Sequence, residues 1–234
     1  MYYVEQIDRL TLDKEESRHC LKVLRRQLGD RIELTDGKGL VVEAEITDIA
    51  GKQAAYKLVK KKEIAELKPH LHLYIAPTKN INRMEWLLEK CTEIGIKSIT
   101  PIICKRSERK VLRLDRLKKI MITAMKQSQR AWLPCLNEVT TLKNSFKSIA
   151  ESELANTYMA AYKVGQPNLE DVIQSEKNTH LFIGPEGDFT EEEKKLANYY
   201  NFVFVNLGDY RLRTETAGLV ATHIFNLKNR NKFD

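Results

Sequence analysis

The spacing of hydrophobic residues changes character near residue 68. Before it, apolar residues share one side of a helix predicted from about Lys14 to Leu28, and Asp13 with Glu16 has capping-box spacing. Three apolar runs separated by turn residues then predict strands over 31–36, 40–49 and 52–59. This pattern is typical of a β-meander or a small barrel, and the polar stretch 60–68 suggests a linker.

From His70 the pattern alternates between strands and helices. Strands are predicted over 70–76, 98–104, 157–162, 180–184 and 202–208. Helices are predicted over 82–95, 114–127, 190–199 and 214–227, with capping-box spacing at Asn82 and Glu85 and at Thr190 and Glu193. Such alternation indicates a mostly parallel sheet covered on both faces. We therefore expect two domains, residues 1–68 and residues 69–234.

Charge is concentrated in the middle of the chain. The 234 residues carry a formal net charge of +7, and residues 69–150 alone hold 16 basic against 6 acidic side chains. A basic region between neutral and acidic parts favours a surface for a polyanion such as RNA. The alternative is a solvated lysine-rich face that serves solubility.

Several classes of protein are disfavoured. No apolar run approaches the ~20 residues that span a bilayer, and the N-terminus lacks the layout of an export signal. The four cysteines are widely spaced, which argues against a zinc site and a disulfide scaffold: Cys20, Cys91, Cys104 and Cys135. We expect a cytoplasmic protein with no bound metal and no membrane contact.

Two loops follow buried strands and precede helices, where open α/β sheets bind ligands. The first, residues 182–189, contains glycines but is followed by an acidic helix start at Glu191, Glu192 and Glu193, which would repel a triphosphate. A ligand with positive character, such as the sulfonium S-adenosylmethionine, fits better. The alternative is a tight turn before an acid-capped helix.

The second loop, residues 206–216, places Arg211, Arg213 and Glu215 around a helix start. Arginines beside a glycine turn are costly to bury unless they are paired or used, so a functional role gains weight. A structural ion pair between Arg213 and Glu215 is the alternative.

The segments IGPEGDF and LGDYRLRTETA are similar to the two C-terminal signature loops of one protein family. Through them the sequence resembles the RsmE family of bacterial 16S rRNA (uracil-N3) methyltransferases, which belongs to the SPOUT superfamily. RMEWLLEKCTEIGIKSITPIICKRSERK, KQSQR and RHCLKVLRRQLGD extend the resemblance over nearly the whole chain. Asp188 stands where the family usually has Gly, Lys126 where Glu is common, and Tyr210-Arg211-Leu212-Arg213 where Arg-Ile/Val-Leu-Arg is frequent.

The resemblance implies a trefoil-knotted α/β SPOUT domain preceded by a small PUA-like β-barrel domain, a homodimer, and S-adenosylmethionine as cofactor. It implies methylation of uracil N3 of a uridine in 16S rRNA of the 30S subunit. Main-chain groups of three loops would hold the cofactor, namely the loop after TYMAA and the two signature loops. The residues expected to bind it are Ile183, Gly184, Pro185, Glu186, Gly187, Leu207, Gly208, Tyr210, Leu212, Arg213 and Thr216. Trp86 and Trp132 are expected in the core or at the dimer interface.

In this interpretation Arg213, with Arg211 second, stabilises the negative charge that develops on the base. Glu215 orients the arginine or accepts the N3 proton. RNA would be bound by seven basic residues: Lys22, Arg25, Arg26, Lys105, Arg106, Arg109 and Arg130. Two alternatives stay open, a SPOUT methyltransferase acting on another RNA or atom and an RNA-binding protein without catalysis.

Overall fold

The computed structural model describes residues 1–150 and 156–230. They group into two units, one formed by Met1–Glu66 with Ile122–Leu133, the other by Leu67–Met121 with Pro134–Asp234. Residues 122–133 thus group with the first unit, although residues 67–121 of the second unit precede them in the chain. The division into domains 1–68 and 69–234 stays a prediction.

The first unit is built on a four-stranded sheet in the order β1-β2-β3-β4. Its strands are β1 Tyr2–Tyr3, β2 Arg31–Thr35, β3 Leu40–Ala50 and β4 Gln53–Glu63. The last three form the antiparallel meander that the alternating pattern predicts, while β1 runs parallel to β2. Their inward side chains share one apolar core with Leu12 and Cys20.

Two predictions about this unit are wrong in their bounds. The first helix, α1, spans only Lys14–Arg18 and passes into a π-helical turn at His19–Val23. Residues 22–29 are exposed, so no apolar face extends the helix to Leu28. The lysine run Lys60–Lys62 is not a linker but part of β4. An edge strand tolerates such charge because its outer side faces solvent.

The second unit is built on a seven-stranded sheet. Its strands are β5 Leu71–Ile75, β6 Ser98–Ile103, β7 Cys135–Leu136, β8 Thr140–Thr141, β9 Asn156–Ala160, β10 Thr179–Ile183 and β11 Val203–Val205. The order is β11-β9-β10-β5-β6-β7, with β8 also paired to β6, and every recorded pairing is parallel. The expected parallel α/β sheet is confirmed.

Six helices alternate with these strands along the chain. They are α2 Ile81–Ile94, α3 Leu114–Gln127, α4 Leu142–Ala150, α5 Leu169–Val172, α6 Glu191–Tyr199 and α7 Thr214–Lys228. The last residues of α3 group with the first unit. The capping box of Thr190 and Glu193 is present at α6. At α2, however, the side chain of Asn80 and not of Asn82 accepts the capping bond, so the helix begins one residue earlier than predicted. None of the described helices is long and apolar enough to cross a membrane.

Candidate active site

A cavity of about 280 Å³ lies at the carboxyl ends of three neighbouring parallel strands. Ala160, Ile183 and Val205, the last residues of β9, β10 and β11, lie side by side in register and all line it. Because adjacent parallel strands end at one edge, the three loops that follow them converge there. The rest of the lining comes from those loops and the start of α7.

Asn206 joins two of these loops. Its side-chain oxygen accepts a hydrogen bond from the Lys163 amide (3.0 Å), and its Nδ2 donates to the Lys163 carbonyl (2.9 Å). The side chain is buried, so these bonds are shielded from water. Sequence reasoning did not select Asn206, although its position between β11 and Gly208 was a usable signal.

The loop after β10 is held from several sides. The Lys79 amide donates to Glu186 Oε1 (3.0 Å), and Lys194 Nζ lies 3.0 Å from Asp188 Oδ2. A Cβ on Gly184 would lie 3.0 Å from the Phe189 ring, so only glycine fits there without a shift. The acidic character of the loop is thus partly neutralised, and Glu186 is the carboxylate without a cationic partner at 4 Å or less among the described residues.

Two predicted RNA-binding arginines bond to backbone carbonyls of neighbouring loops. Arg106 Nη1 donates to the Gly187 carbonyl at 2.7 Å, and its aliphatic part lies beside Gly187. Arg109 Nη2 donates to the Lys79 carbonyl at 2.8 Å. Both side chains therefore fix loops around the cavity. Lys105, by contrast, keeps an exposed ammonium group, 4.0 Å from the Glu192 carboxylate.

The loop after β11 presents Tyr210 and two arginines, and it contacts Tyr162 of the loop after β9. Tyr162 donates a hydrogen bond to the Asp209 carbonyl (3.0 Å), and the Arg211 guanidinium lies 5.8 Å from the centre of the Tyr162 ring. That distance is within the range of a cation–π contact. Tyr210 is 82% exposed and also lines the cavity.

Arg213 stands at the junction of this loop with α7. Its carbonyl accepts the first helical hydrogen bond, from the Ala217 amide at 2.8 Å. The next residue, Thr214, donates from its hydroxyl to the Gly184 carbonyl at 3.0 Å, which ties the two signature loops together. The backbone of Arg213 is therefore fixed, while its side chain is exposed in the cavity wall.

Glu215 points elsewhere. It is 7% exposed, does not line the cavity, and its Oε1 lies 3.6 Å from Arg83 Nε. Its other oxygen, Oε2, is buried and has no hydrogen-bond partner in the described part of the chain. The ion pair between Arg213 and Glu215 considered from the sequence is replaced by one between Arg83 and Glu215, since α2 packs against α7.

Most of the predicted cofactor-binding residues meet in the cavity wall. Those that line it are Ile183, Gly184, Pro185, Glu186, Leu207, Tyr210, Leu212 and Arg213, together with Arg211. Three predicted residues do not line it, namely Gly187, Gly208 and Thr216. Sequence reasoning omitted a further set that does: Ala160, Ala161, Tyr162, Asp188, Val205, Asn206, Thr214 and Ala217.

The remaining predicted RNA contacts lie in the first unit. Lys22, Arg25 and Arg26 are exposed on the segment after α1, and Arg26 lies 3.9 Å from Asp30. Arg130 is half-buried, and burial lowers the pKa of its guanidinium. Its Nε has no hydrogen-bond partner among the described residues.

Two buried cysteines of the second unit are poor nucleophiles. Burial raises the pKa of both Cys91 and Cys104 to about 12, so these thiols stay protonated at neutral pH. Among residues 1–150 and 156–230, no group of three or more His, Cys, Asp or Glu side chains is arranged to hold a metal ion.

Two family models match the chain. The RNA methyltransferase domain matches residues 65–226, and the RNA methyltransferase PUA domain matches residues 12–59. The curated Ribosomal RNA small subunit methyltransferase E of Synechocystis sp. is 32% identical over 91% of this chain and 71% of its own length.

Solved structures agree with this assignment. The crystal structure of a probable rRNA-methyltransferase from Porphyromonas gingivalis has a TM-score of 0.92 at 34% identity, covering 98% of both chains. The Ribosomal RNA small subunit methyltransferase E from Neisseria gonorrhoeae, bound to S-adenosyl methionine, has a TM-score of 0.82 at 27% identity and covers 94% of this chain and 91% of its own. The expected PUA-like domain and SPOUT-type α/β domain are confirmed, whereas the trefoil knot stays a prediction. With a domain model matched over residues 65–226, this chain belongs to the RNA methyltransferase family that includes ribosomal RNA small subunit methyltransferase E.

Proposed function

We propose that this protein transfers a methyl group from S-adenosylmethionine to N3 of one uridine in 16S rRNA of the small ribosomal subunit. The observation that carries the proposal is the cavity at the carboxyl ends of β9, β10 and β11, into which both RsmE-like loops converge. Family membership supports the reaction class, and the resemblance of those loops to the RsmE signature supports the atom that is methylated.

The residues around the cavity suit S-adenosylmethionine. Ile183, Leu207 and Leu212 offer apolar surface for an adenosine. Glu186, which has no ion pair at 4 Å or less among the described residues, offers a carboxylate for a group of positive charge. The cavity has a volume of about 280 Å³, which is at the small end of the range for ligand sites. When bound, the cofactor supplies an electrophilic methyl group on a sulfonium. A methyltransferase of this fold solved with that cofactor supports the assignment.

Methylation at N3 requires loss of a proton whose solution pKa is above neutral, with negative charge developing on the oxygens at C2 and C4. Arg213 is our candidate for the donor that stabilises this charge, because its side chain lines the cavity and its backbone is fixed at the start of α7. One such donor contributes about 3–4 kcal/mol elsewhere. Arg211 is second, since it already lies over Tyr162.

Glu215 fits a positioning role better than that of a base. A base must reach hydrogen-bond distance of the proton, and Glu215 lies outside the cavity wall beside Arg83. We propose that the pair between Arg83 and Glu215 fixes the first turn of α7, and with it Arg213. N3 also faces the Watson–Crick partner, so the target uridine must be unpaired or turned out of its stack.

A homodimer is part of the proposal. One face of α7 leaves apolar side chains partly uncovered, with Leu219, Val220 and Ile224 half-buried and Leu227 50% exposed. On neighbouring α2, Trp86 is 41% exposed. A second copy of this chain would cover these side chains, as the family resemblance implies. The proposed substrate also favours the cytoplasm as the compartment.

The test is transfer of labelled methyl groups from S-adenosylmethionine to 30S subunits that lack the modification, followed by nucleoside analysis. We expect labelled N3-methyluridine, and we expect Arg213→Ala to lower turnover about 100-fold or more. Calorimetry on the same variant tells whether cofactor binding survives.

Other outcomes would overturn parts of the proposal. Label in another nucleoside would retain the cofactor and refute the uracil N3 assignment. Binding of cofactor without transfer to subunits or free rRNA would refute the substrate. An absence of cofactor binding, with RNA binding intact, would support the non-catalytic alternative.

A further inference from the structure

The family resemblance places Tyr210 among the cofactor-binding residues, but its exposure at the mouth of the cavity points to a different task. Tyr210 lines the cavity, yet 82% of it is exposed. Within the described chain its ring makes no aromatic contact and its hydroxyl no hydrogen bond. A tyrosine packed for stability would bury its ring, so the exposure of this one calls for another explanation.

The neighbours of Tyr210 are held in place. Tyr162 is tied to the Asp209 carbonyl by its hydroxyl, and the guanidinium of Arg211 lies over the Tyr162 ring. Thr214, at the other end, is bonded to the Gly184 carbonyl. The loop therefore presents an uncovered aromatic ring on a backbone fixed at both ends, between the cavity and solvent.

From this geometry we propose that Tyr210 is the platform on which the target uracil stacks beside the methyl donor. The inference rests on the proposed function and adds a subsite for the base. A uridine turned out of its stack loses π contacts, which enzymes of this kind replace with aromatic or guanidinium planes. The RsmE family often has an arginine where this chain has Tyr210, and a guanidinium also offers a flat face.

The chemistry on each side of Tyr210 is consistent with a base. Arg211 and Arg213 line the same wall, where they can donate to the oxygens of uracil at C2 and C4. Tyr210 supplies only the face of its ring, because its hydroxyl has no hydrogen-bond partner within the described chain to orient it. The platform thus sets affinity for the extruded base, while the arginines act on its charge.

The experiment compares four proteins in the labelled transfer assay with 30S subunits that lack the modification. Tyr210→Ala is expected to lower kcat/KM for the subunit roughly 5- to 100-fold, the range of one lost base–aromatic stack. Its cofactor affinity by calorimetry is expected to stay within two-fold of wild type. Tyr210→Phe keeps the ring and is expected to stay within two-fold in both. Tyr199→Ala removes an equally exposed tyrosine (77%) outside the cavity and is expected to change neither.

A second measurement tests the stack directly. Once the methylated uridine is located, an RNA fragment with an abasic site at that position is compared with the intact fragment for binding. Wild type is expected to bind the abasic RNA more weakly than the intact RNA, because both the stack and the arginine contacts to the base are lost. Tyr210→Ala is expected to show a smaller difference between the two RNAs, reduced by the factor that it loses on intact RNA, and an undiminished difference would contradict the platform.

Several results would overturn the inference. Equal losses in Tyr210→Phe and Tyr210→Ala would identify the hydroxyl as the working group, and weaker cofactor binding would place the ring over the cofactor. A change of oligomeric state in Tyr210→Ala would make it a subunit contact. Methylation of another nucleoside by wild type would refute the proposed function, and the same comparison of variants on that nucleoside would still test the platform.

Discussion

At the scale of single residues, the contact between Glu215 and Arg83 supports the proposed positioning role of Glu215. The Glu215 side chain is nearly buried, and the Arg83 side chain is about one-third exposed. Removing one partner of a buried pair leaves an uncompensated charge, which costs about 3–5 kcal/mol when burial is complete. Partial exposure of Arg83 reduces that figure.

We predict that Arg83→Ala lowers the free energy of unfolding by about 1–3 kcal/mol. Chemical denaturation measures it. The double variant Arg83→Ala/Glu215→Gln is expected to recover most of the loss, because no charge is left buried. An equal loss in the double variant would mean that Arg83 acts through packing.

Glu215→Gln alone is expected to lower kcat less than ten-fold, and a larger loss with an altered pH profile would favour the role of a base.

Gly39 is a second position where one added side-chain atom would change the stability of the protein. Its φ is +100°, and an added Cβ would lie 2.5 Å from Trp132 Cζ2 and 2.9 Å from the Ile64 carbonyl oxygen. Trp132 is held there by a hydrogen bond from its Nε1 to the same carbonyl (2.9 Å). The ring therefore has little room to move away.

We predict that Gly39→Ala costs about 2–4 kcal/mol of stability, from backbone strain and steric overlap together. Gly51→Ala is the matched control, because Gly51 also has a positive φ (+64°) but has nothing within 4 Å of its Cβ position. It is expected to cost about 1 kcal/mol, the strain alone. Thermal unfolding of the two variants separates backbone strain from steric overlap. Similar losses of stability in both would show that the Trp132 ring moves aside to make room for the Cβ.

At the scale of elements, local signals predicted what local contacts determine. The capping box of Thr190 and Glu193 placed α6 correctly, because both hydrogen bonds form between residues three apart. The span of α3, Leu114–Gln127, also followed from its periodicity. The lysine run in β4 was misread as a linker because its strand identity comes from pairing with β3.

The candidate site follows the same division. The two loops that face the cavity carry recognisable residues, so Pro185, Leu212 and Arg213 could be named from the sequence. Asn206 and the pairing of Glu215 could not, since they depend on which loops and helices become neighbours after folding. The hydrogen bonds of Arg106 and Arg109 to backbone carbonyls could not be predicted for the same reason, and their binding of RNA stays a prediction. A basic loop gives no local sign that its side chains bond to carbonyls of another loop.

A pair of stacked histidines on neighbouring strands β5 and β10 leads us to predict that the stability of the protein depends on pH. His180 stacks on His72 with ring centres 4.8 Å apart, and burial, with the charge of His72 second, lowers the pKa of His180 to about 4. In the unfolded chain the ordinary value of 6.5 applies. Between those values the unfolded state binds more protons, so stability rises with pH.

We predict that this one histidine makes the protein less stable at pH 5 than at pH 8, by on the order of 2 kcal/mol. Denaturation midpoints over this range measure it. His180→Gln cannot be protonated and is expected to flatten the profile while keeping a polar group near Tyr74. An unchanged slope in that variant would assign the pH dependence to other groups.

At the scale of the whole molecule, basic residues that look alike in the sequence fall into two classes. Arg25 is exposed, and no ion pair is recorded for it in the described chain. Arg106 is bonded to the Gly187 carbonyl beside the cavity. A side chain that binds phosphate releases counterions, whereas one that fixes a loop does not. Salt dependence therefore separates the two classes.

For Arg25→Gln we predict weaker RNA binding and a slope of log K against log [salt] that is shallower by about 1, with cofactor affinity unchanged. For Arg106→Ala we predict the reverse: the cofactor binds several-fold more weakly, and the salt slope is unchanged. The reason is that the loop after β10 loses the hydrogen bond to its Gly187 carbonyl. RNA binding from 50 to 300 mM salt and cofactor calorimetry test both variants. A shallower slope in Arg106→Ala would mean that this guanidinium leaves Gly187 and binds phosphate when RNA is present, and the loop after β10 would then respond to the substrate.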